Sequence, residues 1–144
     1  MHKIFGVQTK AEYFTRKGAY LIPIKDGKVA VVETPKGLFL LGGGLEPGED
    51  ERESIVRECL EEVGCNAVVT EFACSAEAYV VHNRKGFFHP VQSYYLGELS
   101  APVCNPIEKD HTLLWIDYLE LRGRMATQMQ NWAIDYCWQK VNSK

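Results

Sequence analysis

Three glutamates, Glu58, Glu61 and Glu62, stand at relative positions i, i+3 and i+4 in a segment whose apolar residues recur at helical spacing. At about 100° per residue they share one side of a helix, while Ile55, Val56, Cys59, Leu60 and Val63 fall within another arc. Like charges so placed destabilise an isolated helix by a few tenths of a kcal/mol per pair, roughly, and the macrodipole disfavours anions near a C-terminus. A cation is therefore expected beside them. Arg57 offsets part of the charge, and three oxygen-rich side chains on one turn suit a hard divalent ion, Mg²⁺ or Mn²⁺, held together with water and phosphate oxygens. A solvated acidic face is the commoner explanation of a bare ExxEE pattern, so the wider context has to decide.

The elements around the glutamates supply that context. Gly42, Gly43 and Gly44 permit close backbone approach, and Pro47–Gly48 makes a second turn before the helix. This stretch is expected to be a glycine loop, either a plain strand-to-helix connection or a set of backbone N–H groups that meet a phosphate. Asp50 with Glu53 has the form of a capping box, which starts the helix near Glu51, and Gly64 suits the left-handed position that ends it.

From Gly43 to Cys65 the chain resembles the Nudix hydrolase signature, G-x5-E-x7-R-E-U-x-E-E-x-G-U with U a bulky apolar residue. Gly43, Glu49, Arg57, Glu58, Glu61, Glu62 and Gly64 match every strict position. At ordinary composition, chance agreement at one register is rarer than about one in 10⁸. Two U positions hold Cys59 and Cys65, and buried cysteine packs as a small hydrophobe. Leu41 stands where many relatives carry proline, which leaves the connection less rigid. The resemblance is strong over Leu38–Cys65 and general elsewhere.

The 144 residues are expected to form one domain, 1–144, of mixed composition with 46% hydrophobic and 24% charged residues. A net charge of −3 argues against a nucleic-acid or membrane-surface binder, which needs a basic patch. No apolar run reaches the ~18 residues of a membrane span, and MHKIFGVQTK lacks the apolar core of a signal peptide, so a cytoplasmic location is expected. The five cysteines, an odd set without a CxxC pair, suggest neither a disulfide framework nor a zinc site.

Along the rest of the chain, Ala19–Ile24 and Val29–Val32 flank an Asp26–Gly27 turn and predict a β-hairpin. Leu38–Leu41 is a short apolar strand that feeds the glycines. Two long β segments, Ala67–Val81 and Phe87–Leu99, surround HNRKG, whose Arg84 and Lys85 are candidates for substrate phosphate contact or an ordinary solvated loop tip. A proline-interrupted stretch carrying Glu108 and Asp110 precedes a strand with Trp115. Asp117–Arg122 suggests a helical turn, and Met125, Met129, Trp132, Ala133, Tyr136 and Cys137 predict a final packed helix over Arg124–Lys140. Phe14, Phe39 and Phe88 are candidates for base stacking, with core packing the simpler role.

The resemblance implies an α/β fold, an α/β/α sandwich with a mixed β-sheet between helices. It also implies Mg²⁺-dependent hydrolysis of a nucleoside diphosphate linked to a group X, in which the metal neutralises phosphate charge and lowers the pKa of a water. Carried over by position, Glu58 and Glu62 would be principal metal ligands and Glu61 a ligand or water-mediated partner. Glu49 would pair with Arg57 to orient the helix, and Gly43 and Gly64 would set geometry. The general base would be Glu58 first, then Glu61 or Glu108. The family's substrate marks are absent: no proline at the ADP-ribose spacing, no tyrosine at the dinucleoside-polyphosphate spacing, no SQPWPFP-like run. The default expectation is a MutT-like pyrophosphohydrolase of (deoxy)nucleoside triphosphates, with nucleotide sugars, ADP-ribose or dinucleoside polyphosphates as alternatives and a non-catalytic nucleotide-sensing module as a reading of another class. The partner is then a small-molecule nucleotide, with monomer and homodimer both open.

Overall fold

Strict alternation of apolar residues on both faces of the central strands sets the architecture. In β3 (Lys28–Thr34), Val29 and Val31 enter one core while Ala30 and Val32 enter the other; in β2 (Phe14–Lys25), Ile22 and Leu21 divide in the same way. A sheet apolar on both faces has to be covered twice. The computed structural model, which describes residues 1–10, 12–82 and 86–143, shows that covering. Helix α1 (Glu51–Val63) contributes Ile55, Cys59 and Val63 to one core, and helix α3 (Gln128–Asn142) contributes Met129, Ala133, Ile134 and Cys137 to the other. The expected α/β/α sandwich is what the chain forms.

The remaining elements are β1 (His2–Phe5), β4 (Gly37–Phe39), β5 (Leu41–Gly44), β6 (Cys65–Ala78), β7 (Val80–His82), β8 (Gly86–Pro102), β9 (Thr112–Asp117) and the short α2 (Tyr118–Leu121). Strand order is β1-β6-β8-β2-β3-β4, with β5 on β2, β7 on β8 and β9 on β3; β1–β6 and β2–β8 are parallel and the rest antiparallel. The Asp26–Gly27 turn has both residues at positive φ, +53° and +76°, as a two-residue hairpin requires. Its strands pair only at Ile24–Val29 and Lys25–Lys28 before parting, β2 toward β8 and β3 toward β9. No helix among the described residues is long and apolar enough to cross a membrane.

Several expectations are corrected. Gly42–Gly44 are not a loop: they form β5, paired with Gly18–Tyr20 of β2. The final helix starts at Gln128 rather than Arg124, because Met125 is held extended beside Leu38 and Thr127 caps the helix by accepting from the Gln130 N–H. On α1 the buried arc is rotated, so that Ser54 is buried while Val56 is 39% exposed. The capping box at Asp50 and Glu53 and the left-handed Gly64 are as expected. Asn83, Arg84 and Lys85 of the HNRKG segment lie outside the described residues.

Gly42 shows why β5 needs glycine. Its φ is +139°, and a Cβ there would lie 2.1 Å from the Ala19 carbonyl oxygen across the strand pair. Gly42→Ala is expected to cost about 2–4 kcal/mol through backbone strain and overpacking, checked as a lowered midpoint in urea unfolding with an unchanged slope.

Candidate active site

The acidic helix is positioned from both ends. At its N-terminus the Glu51 carboxylate accepts from the Tyr95 hydroxyl at 2.5 Å and the Ser93 hydroxyl at 2.7 Å, which ties α1 to β8. At its C-terminus no basic side chain sits in the last turn. Backbone N–H groups of the following loop do that work: Ile107 and Glu108 donate to the Glu61 carbonyl, both at 2.9 Å, and Val103 donates to Gly64 at 2.8 Å. These amides supply the positive partial charge the helix end lacks.

Arg57 gathers the carboxylates. Its Nε and Nη2 donate to the two oxygens of Glu49 at 2.7 and 3.0 Å, and its Nη1 donates to Glu58 at 2.9 Å and Glu61 at 3.0 Å. Nη2 also reaches the Gly44 carbonyl at 3.3 Å, which joins α1 to β5. The bidentate pair is the stronger kind of charge-assisted hydrogen bond. With the Arg57 guanidinium and then the Glu46 N–H on its oxygens, Glu49 is held down at about 2. Arg57 is pushed up, first by Glu49.

Glu62 is treated differently. It makes no ion pair among the described residues, and one oxygen accepts from the Gly42 N–H at 3.1 Å. Burial, reinforced by the charges of Glu58, Glu108 and Glu61, pushes it up to about 8. Burial also raises Glu58, although Arg57 opposes it. The Glu58 carboxylate lies against Gly43 so closely that a Cβ there would sit 1.8 Å from its Oε2. Glu58, Glu62, Gly42 and Gly43 line one cavity of about 430 Å³.

Among the residues expected in the site, the structure brings Glu58, Glu62, Gly42 and Gly43 together and pairs Glu49 with Arg57. Glu61 turns toward Arg57 and does not line that cavity. Exposed Glu108 stands near its rim, where its own oxygen and ligand atoms of Asp110 and His111 lie within 4.8 Å of one another; Asp110 and His111 line the cavity. Two carboxylates destabilised by burial, one with no cationic partner, form the kind of oxygen donor set a hard divalent ion takes, so these residues fit Mg²⁺ or Mn²⁺.

On the opposite wall sequence reasoning offered Phe39 and missed Arg16 and Tyr20. Arg16, Tyr20 and Phe39 line this cavity and also a second, mainly apolar one of about 560 Å³ that includes Phe88, Gln92 and Gln130. Arg16 has no carboxylate within ion-pair distance among the described residues, though its charge is felt at Glu58. The only signal in the chain was the alternation along β2, which sends Arg16, Gly18 and Tyr20 to one face. Phe14 is not core: it is 55% exposed and stacked on Phe88 at 5.7 Å.

The NUDIX domain family matches residues 15–136 of the chain. A protein of Escherichia coli (strain K12) named CTP pyrophosphohydrolase is 37% identical over 62 residues; the match spans 39% of this chain and less than half, 46%, of that protein. Among solved structures, a NUDIX hydrolase from Nitrosomonas europaea superposes with TM-score 0.73 at 19% identity, covering 87% of this chain and 89% of that one. A MutT NUDIX hydrolase from Burkholderia pseudomallei gives 0.71 at 22% identity, covering 85% and 97%. At these identities the superpositions establish the fold.

Two outcomes test the electrostatics. Burial opposes ionisation of Glu62, a cost to the metal-free protein that grows as pH rises from about 4.5 toward 8, so at neutral pH Glu62→Gln should raise Tm by roughly 2–6 °C and abolish stabilisation by Mg²⁺ or Mn²⁺, both measured by calorimetry. Glu49 has a folded value of about 2 against an ordinary 4.5, so its contribution is full above about 4.5 and disappears as pH falls toward 2. The stability gap between the wild type and Glu49→Gln should therefore be open at neutral pH and close across that window in urea titrations.

Proposed function

The chain belongs to the NUDIX domain family, and from that premise we propose that it is a divalent-metal-dependent pyrophosphohydrolase of nucleoside diphosphate-X compounds, acting on (deoxy)nucleoside triphosphates to release monophosphate and pyrophosphate. One observation carries this reading: a cavity holding two buried carboxylates adjoins a mainly apolar cavity with room for a nucleobase across a shared wall of Arg16, Tyr20 and Phe39. Together they offer an acidic end, a cationic junction and an apolar end, in the order metal, phosphate, base. Volumes of about 430 and 560 Å³ are ordinary for small-ligand sites. The relative named CTP pyrophosphohydrolase supports a triphosphate substrate over a sugar nucleotide.

In this reading Glu58 and Glu62 hold Mg²⁺ or Mn²⁺, with Glu61 completing the set directly or through water. When bound, the ion neutralises phosphate charge and acidifies water. The protein's own groups do the rest. Arg57, anchored by Glu49, fixes the rotamer of Glu58. Arg16, free of any carboxylate among the described residues, receives a phosphate as the substrate crosses between cavities. A carboxylate takes the proton of the attacking water, Glu58 first and Glu61 or Glu108 as rivals. Tyr20, raised to about 12 chiefly by burial, stays protonated and serves as a hydrogen-bond donor at the junction.

The test is a panel of nucleotides with Mg²⁺, scored for phosphate, pyrophosphate and monophosphate. Pyrophosphate and monophosphate in equal amounts are expected from triphosphates. Glu58→Gln and Glu62→Gln should each lower kcat by about 100-fold or more while circular dichroism stays unchanged; near-normal turnover by either at saturating Mg²⁺ would overturn the assignment.

A further inference from the structure

The apolar cavity contains a polar device whose direction can be worked out. Gln130, at the start of α3, is only 2% exposed, and its Oε1 accepts from the Leu40 backbone N–H at 2.8 Å. A backbone N–H can only donate, so the Gln130 amide is pinned with Nε2 on the other side. That Nε2 donates to Gln92 Oε1 at 3.4 Å, and the same oxygen accepts from the buried Tyr94 hydroxyl at 2.7 Å. Gln92 is thereby pinned as well: both of its acceptor positions are taken, and its Nε2 has no acceptor among the described residues. The chain of hydrogen bonds runs one way, from Leu40 N–H and Tyr94 O–H through two amide oxygens. The groups it leaves unused are N–H donors, both protons of Gln92 Nε2 and one of Gln130 Nε2. Both residues line the cavity.

We propose that Gln92 and Gln130 are specificity-determining residues that make this cavity select nucleobases presenting two neighbouring acceptors, so that the protein prefers cytosine or guanine nucleotides to adenine ones. The inference rests on the proposed reading that the base occupies this cavity. Cytosine offers O2 beside N3, and guanine offers O6 beside N7. Adenine sets its N6 amino donor beside both N1 and N7, so on either edge one donor would face another. Uracil and thymine separate their two carbonyls by N3–H and satisfy one donor at a time. A site built to hydrogen-bond a base rejects analogues that leave its buried polar groups unpaired far better than an apolar pocket rejects shapes. The apolar remainder of the cavity, Phe39 and Phe88 included, provides area without discrimination among bases.

The experiment is calorimetric binding of CMP, GMP, UMP and AMP to the full chain with Mg²⁺, alongside turnover of the four triphosphates. CMP or GMP should bind at least about tenfold more tightly than AMP, the separate arms telling the two apart, with UMP between. Gln92→Glu turns the free donor into an acceptor while still accepting from Tyr94 and Gln130, and should cut that preference about tenfold or reverse it. Gln92→Met, which offers no N–H, should bring the four affinities within about threefold and serves if the charged variant fails to fold. AMP binding as tightly as CMP and GMP, no monophosphate binding at millimolar concentration, or base ratios unmoved by Gln92→Met would overturn the proposal. Discrimination in binding without turnover of any triphosphate would leave the base selection standing and remove the hydrolase reading.

Discussion

The site depends on one guanidinium. Arg57 is the cation around which Glu49, Glu58 and Glu61 are arranged at 2.7–3.0 Å, and without it α1 would carry an uncompensated run of negative charge at the end where the helix dipole tolerates it least. Its planar fork matters as much as its charge. Two donors hold Glu49 side-on, a third is left for the pair on α1, and the remaining contact to Gly44 locks the helix to β5. A lysine ammonium could supply the charge but not this set of directions. Arg57 pairs with Glu49, Glu58 and Glu61, and more loosely with Glu46 at 3.6 Å, so its single charge offsets only part of theirs. Glu62 lies beyond its reach, and in the proposed reading the incoming metal ion supplies the counter-charge that its ionised form lacks.

Everything else brings partners to the open side of Glu58 and Glu62. β5 is the closest, and glycine allows it: Gly43 meets the Glu58 carboxylate so closely that a methyl there would displace it, while Gly42, crowded by the Ala19 backbone, gives Glu62 its one hydrogen bond among the described residues. β2 then carries the wall onward, since its pairing with both β5 and β8 places Arg16 and Tyr20 between the carboxylates and the apolar cavity. One strand thus joins the two halves of the proposed substrate site, so their spacing is fixed by backbone pairing rather than by loops.

What was legible in the sequence follows from range. Contacts within α1 and its caps are local, so the register of Glu49, Arg57, Glu58 and Glu62, the Asp50 capping box and the Gly64 terminus could all be read from spacing. The sandwich could be expected from the resemblance together with alternating apolar residues. The glycines were misassigned because three in a row carry turn propensity, whereas here Gly42 answers a steric demand from Ala19 across the strand pair, Gly43 one from Glu58 and Gly44 one from Arg16, which no local pattern encodes. Arg16, Gln92 and Gln130 went unnoticed for the same reason. They come from three elements, separated by as many as 114 positions between Arg16 and Gln130, and each alone looks like an ordinary polar residue. The start of α3 moved because Met125 found a partner in Leu38, a tertiary gain that outweighs the helical preference of four residues.

The loop after β8 shows how such a site can be kept rigid and adjustable at once. Its amides cap the Glu61 and Gly64 carbonyls, so its root is bound to the acidic helix. Its far end carries Asp110 and His111 to the cavity rim, where the Asp110 Oδ1 and His111 Nδ1 lie 2.8 Å apart. A change at the root would disturb the helix terminus and with it the carboxylates. A change at the tip alters the wall of the cavity that Arg16 also lines. The geometry therefore separates the part that closes the acidic helix from the part that lines the cavity, and the division falls within a single loop because one end of it completes a helix.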